Sequence, residues 1–78
     1  LYQQDKPQEA VVRLKRAVSI LPEKSAWWRL SYWRLGLALD ASGSPKESLD
    51  ALVKSYTNSP PDRFRRTIVE GVYRKVHG

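Results

Sequence analysis

The stretch from Ser25 to Ser42 is apolar on two opposite sides when wound as a helix, and this constrains the fold more than any other feature of the chain. At about 100° per residue, Trp28, Tyr32, Leu35 and Leu39 fall on one side, with Leu30, Trp33, Leu37 and Ala41 on the other. A helix with two apolar faces needs two apolar partners. Such a segment is expected to be wedged between other elements, and Gly43 just past its end supplies the left-handed residue that closes a helix without a Cβ penalty.

The flanking segments can supply those partners. A first helix is expected from about Pro7 to Leu21, opened by Asp5 as N-cap and stopped by Pro22. Ala10, Val11, Leu14, Ala17, Val18 and Leu21 make its apolar face, while Arg13, Lys15 and Arg16 point away. A third helix starts at Ser44-Pro45-Lys46-Glu47, which reads as a Ser N-cap, a Pro in the first turn and a Glu completing a capping box. Leu49, Leu52, Val53 and Tyr56 form its stripe, and Pro60 and Pro61 require it to end near Asn58. A fourth helix is expected with Ser59 as cap and Asp62 in its first turn, running to about Val76. Phe64, Ile68, Val72 and Val76 form its apolar side, with Val69 and Tyr73 on the flank. Gly71 costs it about 1 kcal/mol relative to Ala. No segment alternates as a strand would. The expected class is therefore all-α: about four helices in antiparallel helix-turn-helix order.

Two of these segments match each other. Asp5-Lys6-Pro7-Gln8-Glu9-Ala10 followed by Leu14, Ala17 and Pro22 corresponds to Gly43-Ser44-Pro45-Lys46-Glu47-Ser48 followed by Leu52, Ser55 and Pro60, at a constant offset of 60 − 22 = 38. The fullest pattern runs from Tyr32 through Leu35-Gly36, Leu39, Gly43, Ser48, Leu52 and Ser55 to Pro60. It resembles the tetratricopeptide repeat, a helix-turn-helix unit of about 34 residues. The interval from Pro22 to Tyr32 is about four residues longer than in that family, close to one helical turn, so Ser25 to Arg29 is expected to lengthen the helix and set Trp28 above Tyr32. The last helix lacks the Leu-Gly pair. The resemblance implies one domain: residues 1–22 as the second half of a repeat, 23–60 as a complete, lengthened repeat, and 61–78 as a capping helix. It also implies an α-solenoid in which Gly36, Ser48 and Ser55 permit close helix approach while Leu35, Leu39, Leu52 and Tyr56 fill the space between helices.

Size and charge bound the function. The chain has 78 residues, no cysteine and a net charge of +6. A chain this short buries only about 60% of its unfolded surface, so helix packing or a neighbour must supply stability. The excess of base favours acidic proteins, nucleic acid or an anionic surface as partners. Spacing weakens that inference, because Glu9, Asp50, Asp62 and Glu70 each stand four residues before a base, as surface helix pairs do. No apolar run approaches the ~20 residues that span a membrane, and Leu1-Tyr2-Gln3-Gln4 reads as neither a basic n-region nor an apolar h-region. We expect a soluble, cytoplasmic chain without a membrane partner. It lacks an initiator Met and opens within a helical pattern, so we expect it to be a piece of something longer.

The resemblance implies a protein-protein interaction scaffold with a peptide or partner protein in its groove, and it directs attention to Leu30, Trp33, Arg34 and Leu37. In that family the first helix of each unit walls the groove, so Trp33 and the leucines would be apolar anchors and Arg34 a partner for a carboxylate or a carbonyl. The bland reading is that this face is core, as aromatics at helical spacing often are. Some members hold acidic chaperone tails through a Lys, Asn and Arg clamp; here Trp33 and Leu37 stand where Lys and Asn would, and that use is disfavoured. A basic nucleic-acid-binding domain is the alternative, resting on Arg63, Arg65 and Arg66 around Phe64. Self-association through the open N-terminal edge is another. An enzyme is disfavoured: the one histidine, His77, adjoins the C-terminal Gly78, no thiol exists, and the glycines form no phosphate-binding loop. No catalytic residue, metal or cofactor is expected.

Overall fold

A computed structural model describes residues 6–78. It has four helices, α1 (Pro7–Ile20), α2 (Ala26–Ala41), α3 (Pro45–Thr57) and α4 (Arg63–His77), and no strand among the described residues. The class is all-α. Asp5 and the helical turn expected near Leu1 lie outside the described residues; the N-cap position of α1 is Lys6, whose backbone N–H donates to Glu9 Oε2 at 3.4 Å.

The other boundaries follow cap chemistry, with two corrections. Ser25 caps α2, its hydroxyl accepting from the Trp28 N–H at 3.2 Å, and Gly43 ends the turn after α2 at φ +87°. Ser44 occupies the N-cap position of α3, but its side chain accepts no cap hydrogen bond and the expected capping box does not form. Its backbone, at φ −118° and ψ 68°, departs from the extended geometry that aims a cap hydroxyl at the N2 and N3 amides. The cap of α4 is Asp62, not Ser59: Asp62 Oδ1 accepts from Phe64 N at 2.9 Å and Arg65 N at 3.3 Å. Ser59 Oγ instead donates to Ser55 O at 2.7 Å, back onto the end of α3. The two prolines therefore form the connection and do not open the helix.

The helices pack in chain order, α1 on α2, α2 on α3 and α3 on α4. Two buried clusters flank α2, one taking its Tyr32, Leu35 and Leu39 side and the other, from the opposite side, Trp33 alone. Leu35, Leu39 and Ala51 gather Val11, Leu14 and Val18 of α1 together with Tyr32. Trp33, Leu52 and Val72 gather Leu49, Ile68 and Val69. The Trp28 and Tyr32 rings meet edge to face at 4.7 Å, one turn apart, and Trp28 is buried.

The α2–α3 contact is the tightest. A Cβ built on Gly36 would stand 2.5 Å from Cγ and Cδ2 of Leu52 and 3.2 Å from its backbone N. Leu52 itself is wholly buried, which is worth about 1.5–3 kcal/mol for such a side chain. The flanking small residues of α3 bond across the seam: Ser48 Oγ donates to Gly36 O at 2.6 Å and Ser55 Oγ to Arg29 O at 2.7 Å. Each hydroxyl is satisfied, so burying it carries no desolvation penalty left uncompensated. Arg29 Nη1 donates to Asn58 O at 2.8 Å, placing a cation at the negative end of α3.

Two of the acids expected to pair four residues ahead take other partners: Glu70 turns back to Arg66 and not to Arg74, and Asp62 meets Arg65 and not Arg66. Arg66 pairs with Glu70 at 3.2 Å and Asp62 with Arg65 at 3.9 Å, while Lys54 stands over the Tyr32 ring at 5.3 Å. The structure adds two longer ties, Lys15 to Glu47 at 3.4 Å and Lys75 to Asp40 at 2.9 Å.

Candidate partner-binding face

Helical spacing puts Trp27, Leu30, Arg34, Leu37 and Ala41 on one side of α2, between the row that meets α1 and the Trp33 indole. Trp27 is 68% exposed and Leu37 41%. Arg34 and Ala41 are exposed and Leu30 is half-buried. An apolar row left in water on a helix whose remaining sides are packed is the kind of feature that marks an interaction surface.

Of the four residues singled out by sequence, Leu30, Arg34 and Leu37 share this face. Trp33 does not. It is 7% exposed and packed with Leu52 and Val72, because α4 comes alongside α2 and covers that side. The indole is a core side chain, and the groove-anchor role is withdrawn for it.

Besides the packing of Val72 with Trp33, two charged contacts hold α4 beside α2: the Lys75 ammonium bridges both carboxylate oxygens of Asp40 at 2.9 and 3.0 Å, and the Arg65 guanidinium lies over the Trp33 ring at 5.2 Å. Val72 is buried and Ile68 and Val69 pack against it, as the stripe required. Phe64 departs from that stripe, being 74% exposed. It sits in the first turn, about 80° around the helix from Val72, and shares its side with exposed Thr67 and Gly71. A Cβ at Gly71 would meet nothing within 4 Å.

The face is apolar and basic. Arg34 lies within it, and the acid of α2, Asp40, is engaged by Lys75. Two of the three arginines offered for phosphate contacts are turned to this chain's own side chains, Arg65 to Trp33 and Asp62, Arg66 to Glu70. The His77 ring lies against Tyr73 at 4.4 Å, and among the described residues no group of three or more His, Cys, Asp or Glu could hold a metal. No helix among the described residues is long and apolar enough to cross a membrane.

Sequence reasoning missed Trp27 and Arg29. The signal for Trp27 was present, since it stands three and seven residues before Leu30 and Arg34; the pairing of Arg29 with a carbonyl in a distant turn had no signal at all. Comparison with family models, curated proteins and solved structures finds no match to this chain.

Proposed function

We propose that this chain is a non-catalytic helical-repeat module of the tetratricopeptide type that binds a protein or peptide along the exposed face of α2. The observation that carries the reading is the row Trp27, Leu30, Arg34 and Leu37, three apolar residues and one cation, all exposed but half-buried Leu30, on a helix otherwise committed to the core. Supporting the repeat reading, the segments related by the offset of 38 both form helices that open on a proline, and both pack against α2. The close approach at Gly36 and the buried hydroxyls of Ser48 and Ser55 suit the small positions of such a unit.

The partner that fits is an acidic amphipathic peptide. Its apolar side chains would lie on Trp27, Leu30 and Leu37, and a carboxylate would meet Arg34. The test is to select peptides of about twelve residues by display and titrate them into the isotopically labelled protein. We expect shifts concentrated on α2, and losses of roughly tenfold in affinity for both Leu37→Asp and Arg34→Glu with thermal stability retained. Peptides indifferent to both substitutions would remove α2 as the binding face. A steep loss of affinity for unrelated RNA and DNA with salt would support the nucleic-acid reading in its place.

A second reading rests on a separate observation: no residue of α1 is buried. The face that carries Ala10, Leu14 and Ala17 is half-covered, whereas the matching Ser48, Leu52 and Ser55 of α3 are fully covered by α2. Self-association over α1 would complete that cover, and sedimentation at rising concentration checks it.

A further inference from the structure

The turn between α1 and α2 is built on an unfavourable residue. Ser25 N donates to Pro22 O at 3.1 Å, closing a four-residue turn whose third position is Lys24. That lysine has φ +65°, a left-handed conformation which this turn position normally reserves for glycine or asparagine. Strain of this kind persists where the surroundings over-determine it and clusters at ligand sites.

A hollow of about 460 Å³ opens beside this turn, between the end of α1, the start of α2 and the end of α3. That is within the range of small-molecule sites. Half-buried Tyr32, backed edge to face by the buried Trp28 ring, gives it an aromatic wall, and Val18 and Leu21 add aliphatic surface. Lys24 and Lys54 supply two ammonium groups and Glu23 one carboxylate. Neither lysine forms an ion pair among the described residues; Lys54 stands over the Tyr32 ring. The carbonyl ends of α1 and α3 both border the hollow and oppose an anion; at α3 the Arg29 guanidinium already holds Asn58 O, and at α1 the two ammonium groups must outweigh the opposing field.

We propose that this hollow is a binding site for a monoanion that joins a carboxylate to a flat apolar group, the carboxylate meeting Lys24 and Lys54 and the apolar group lying against Tyr32, Val18 and Leu21. Two ammoniums against one carboxylate leave a single positive charge, which suits a monoanion better than a phosphate dianion. The left-handed turn sets Lys24 at the rim of the hollow. Two sources share the chemistry, a free aromatic acid and the C-terminal carboxylate of a peptide ending in an aromatic residue. The site lies apart from the exposed row on α2 and does not depend on the function proposed for it.

The probes are 3-phenylpropionate, its neutral amide, and a short peptide ending in phenylalanine with a free or an amidated terminus, each titrated to about 10 mM against the labelled protein. We expect saturable shifts at the Trp28 indole and the Lys24 and Lys54 amides, with each amide binding roughly tenfold more weakly than its acid. Lys24→Gly should raise the melting temperature by relaxing the turn and still weaken the acid at least fivefold. Lys54→Met, which keeps the apolar stem, should weaken it likewise. Tighter binding of the peptide than of the free acid assigns the site to a chain terminus, and the reverse assigns it to a small metabolite-like acid. Equal affinity for acid and amide, shifts located elsewhere, or full retention of binding by Lys24→Gly would overturn the proposal.

Discussion

Gly36 and Gly71 both stand inside helices, yet the same replacement has opposite consequences at the two positions. Alanine normally gains about 1 kcal/mol over glycine in a helix interior. At Gly71 the new Cβ meets nothing within 4 Å, so Gly71→Ala should stabilise by close to that amount. At Gly36 it would stand 2.5 Å from the Leu52 side chain and 3.2 Å from its backbone, where the neighbour has no free space to yield. Overpacking of this sort costs about 1–3 kcal/mol, so Gly36→Ala should be destabilising despite its better propensity. Urea melts of the two variants give the signs directly. The tryptophans separate in the same way. Trp33→Ala should lose about 3–5 kcal/mol by emptying the space between Leu52 and Val72, while exposed Trp27→Ala should change stability by less than about 0.5 kcal/mol. Periodicity showed that α2 had two apolar sides but could not say which aromatic would be covered, because that depends on where α4 lands, a matter of tertiary packing.

At the scale of elements, the helix starts were legible to within a few residues and the cap contacts were not. Proline and turn residues mark where a helix can begin, whereas a cap hydrogen bond depends on the backbone angles of one residue. Ser44 has the favoured cap chemistry and makes no such bond, while Asp62 accepts two. Asp62→Ala should therefore cost about 1 kcal/mol, and Ser44→Ala only a few tenths. Equal losses for the two in thermal melts would mean that the Ser44 hydroxyl reaches its helix in solution. The candidate face was legible in three of its residues, Leu30, Arg34 and Leu37, since exposure there follows from the rows on either side being occupied. Its extension to Trp27 continues the same spacing. The break of Phe64 from its stripe follows from the drift of about 40° that each four-residue step adds, which carries it away from Val72 and the packed side.

For the molecule as a whole, the four helices do not share stability equally. A domain of 78 residues has about 4–12 kcal/mol in total. The buried residues lie in α2, α3 and α4, with none in α1. Among the described residues α1 is held to the rest of the fold by the half-covered contact of Val11, Leu14 and Val18 with Leu35 and Leu39 and by the exposed ion pair of Lys15 with Glu47, of a kind worth less than about 1 kcal/mol. Helices with few buried contacts open without the rest of the fold. Amide exchange should then be faster throughout α1 than in the middle of α2 and α3, with α1 opening at least about 2 kcal/mol below global unfolding. The seam of Gly36, Ser48, Leu52 and Ser55 should hold the slowest amides, since its side chains are the most deeply enclosed. If protection in α1 rises with protein concentration, a second copy is covering the Ala10, Leu14 and Ala17 face. If α1 exchanges together with α3 at every concentration, the fold opens as one unit and that face requires no cover.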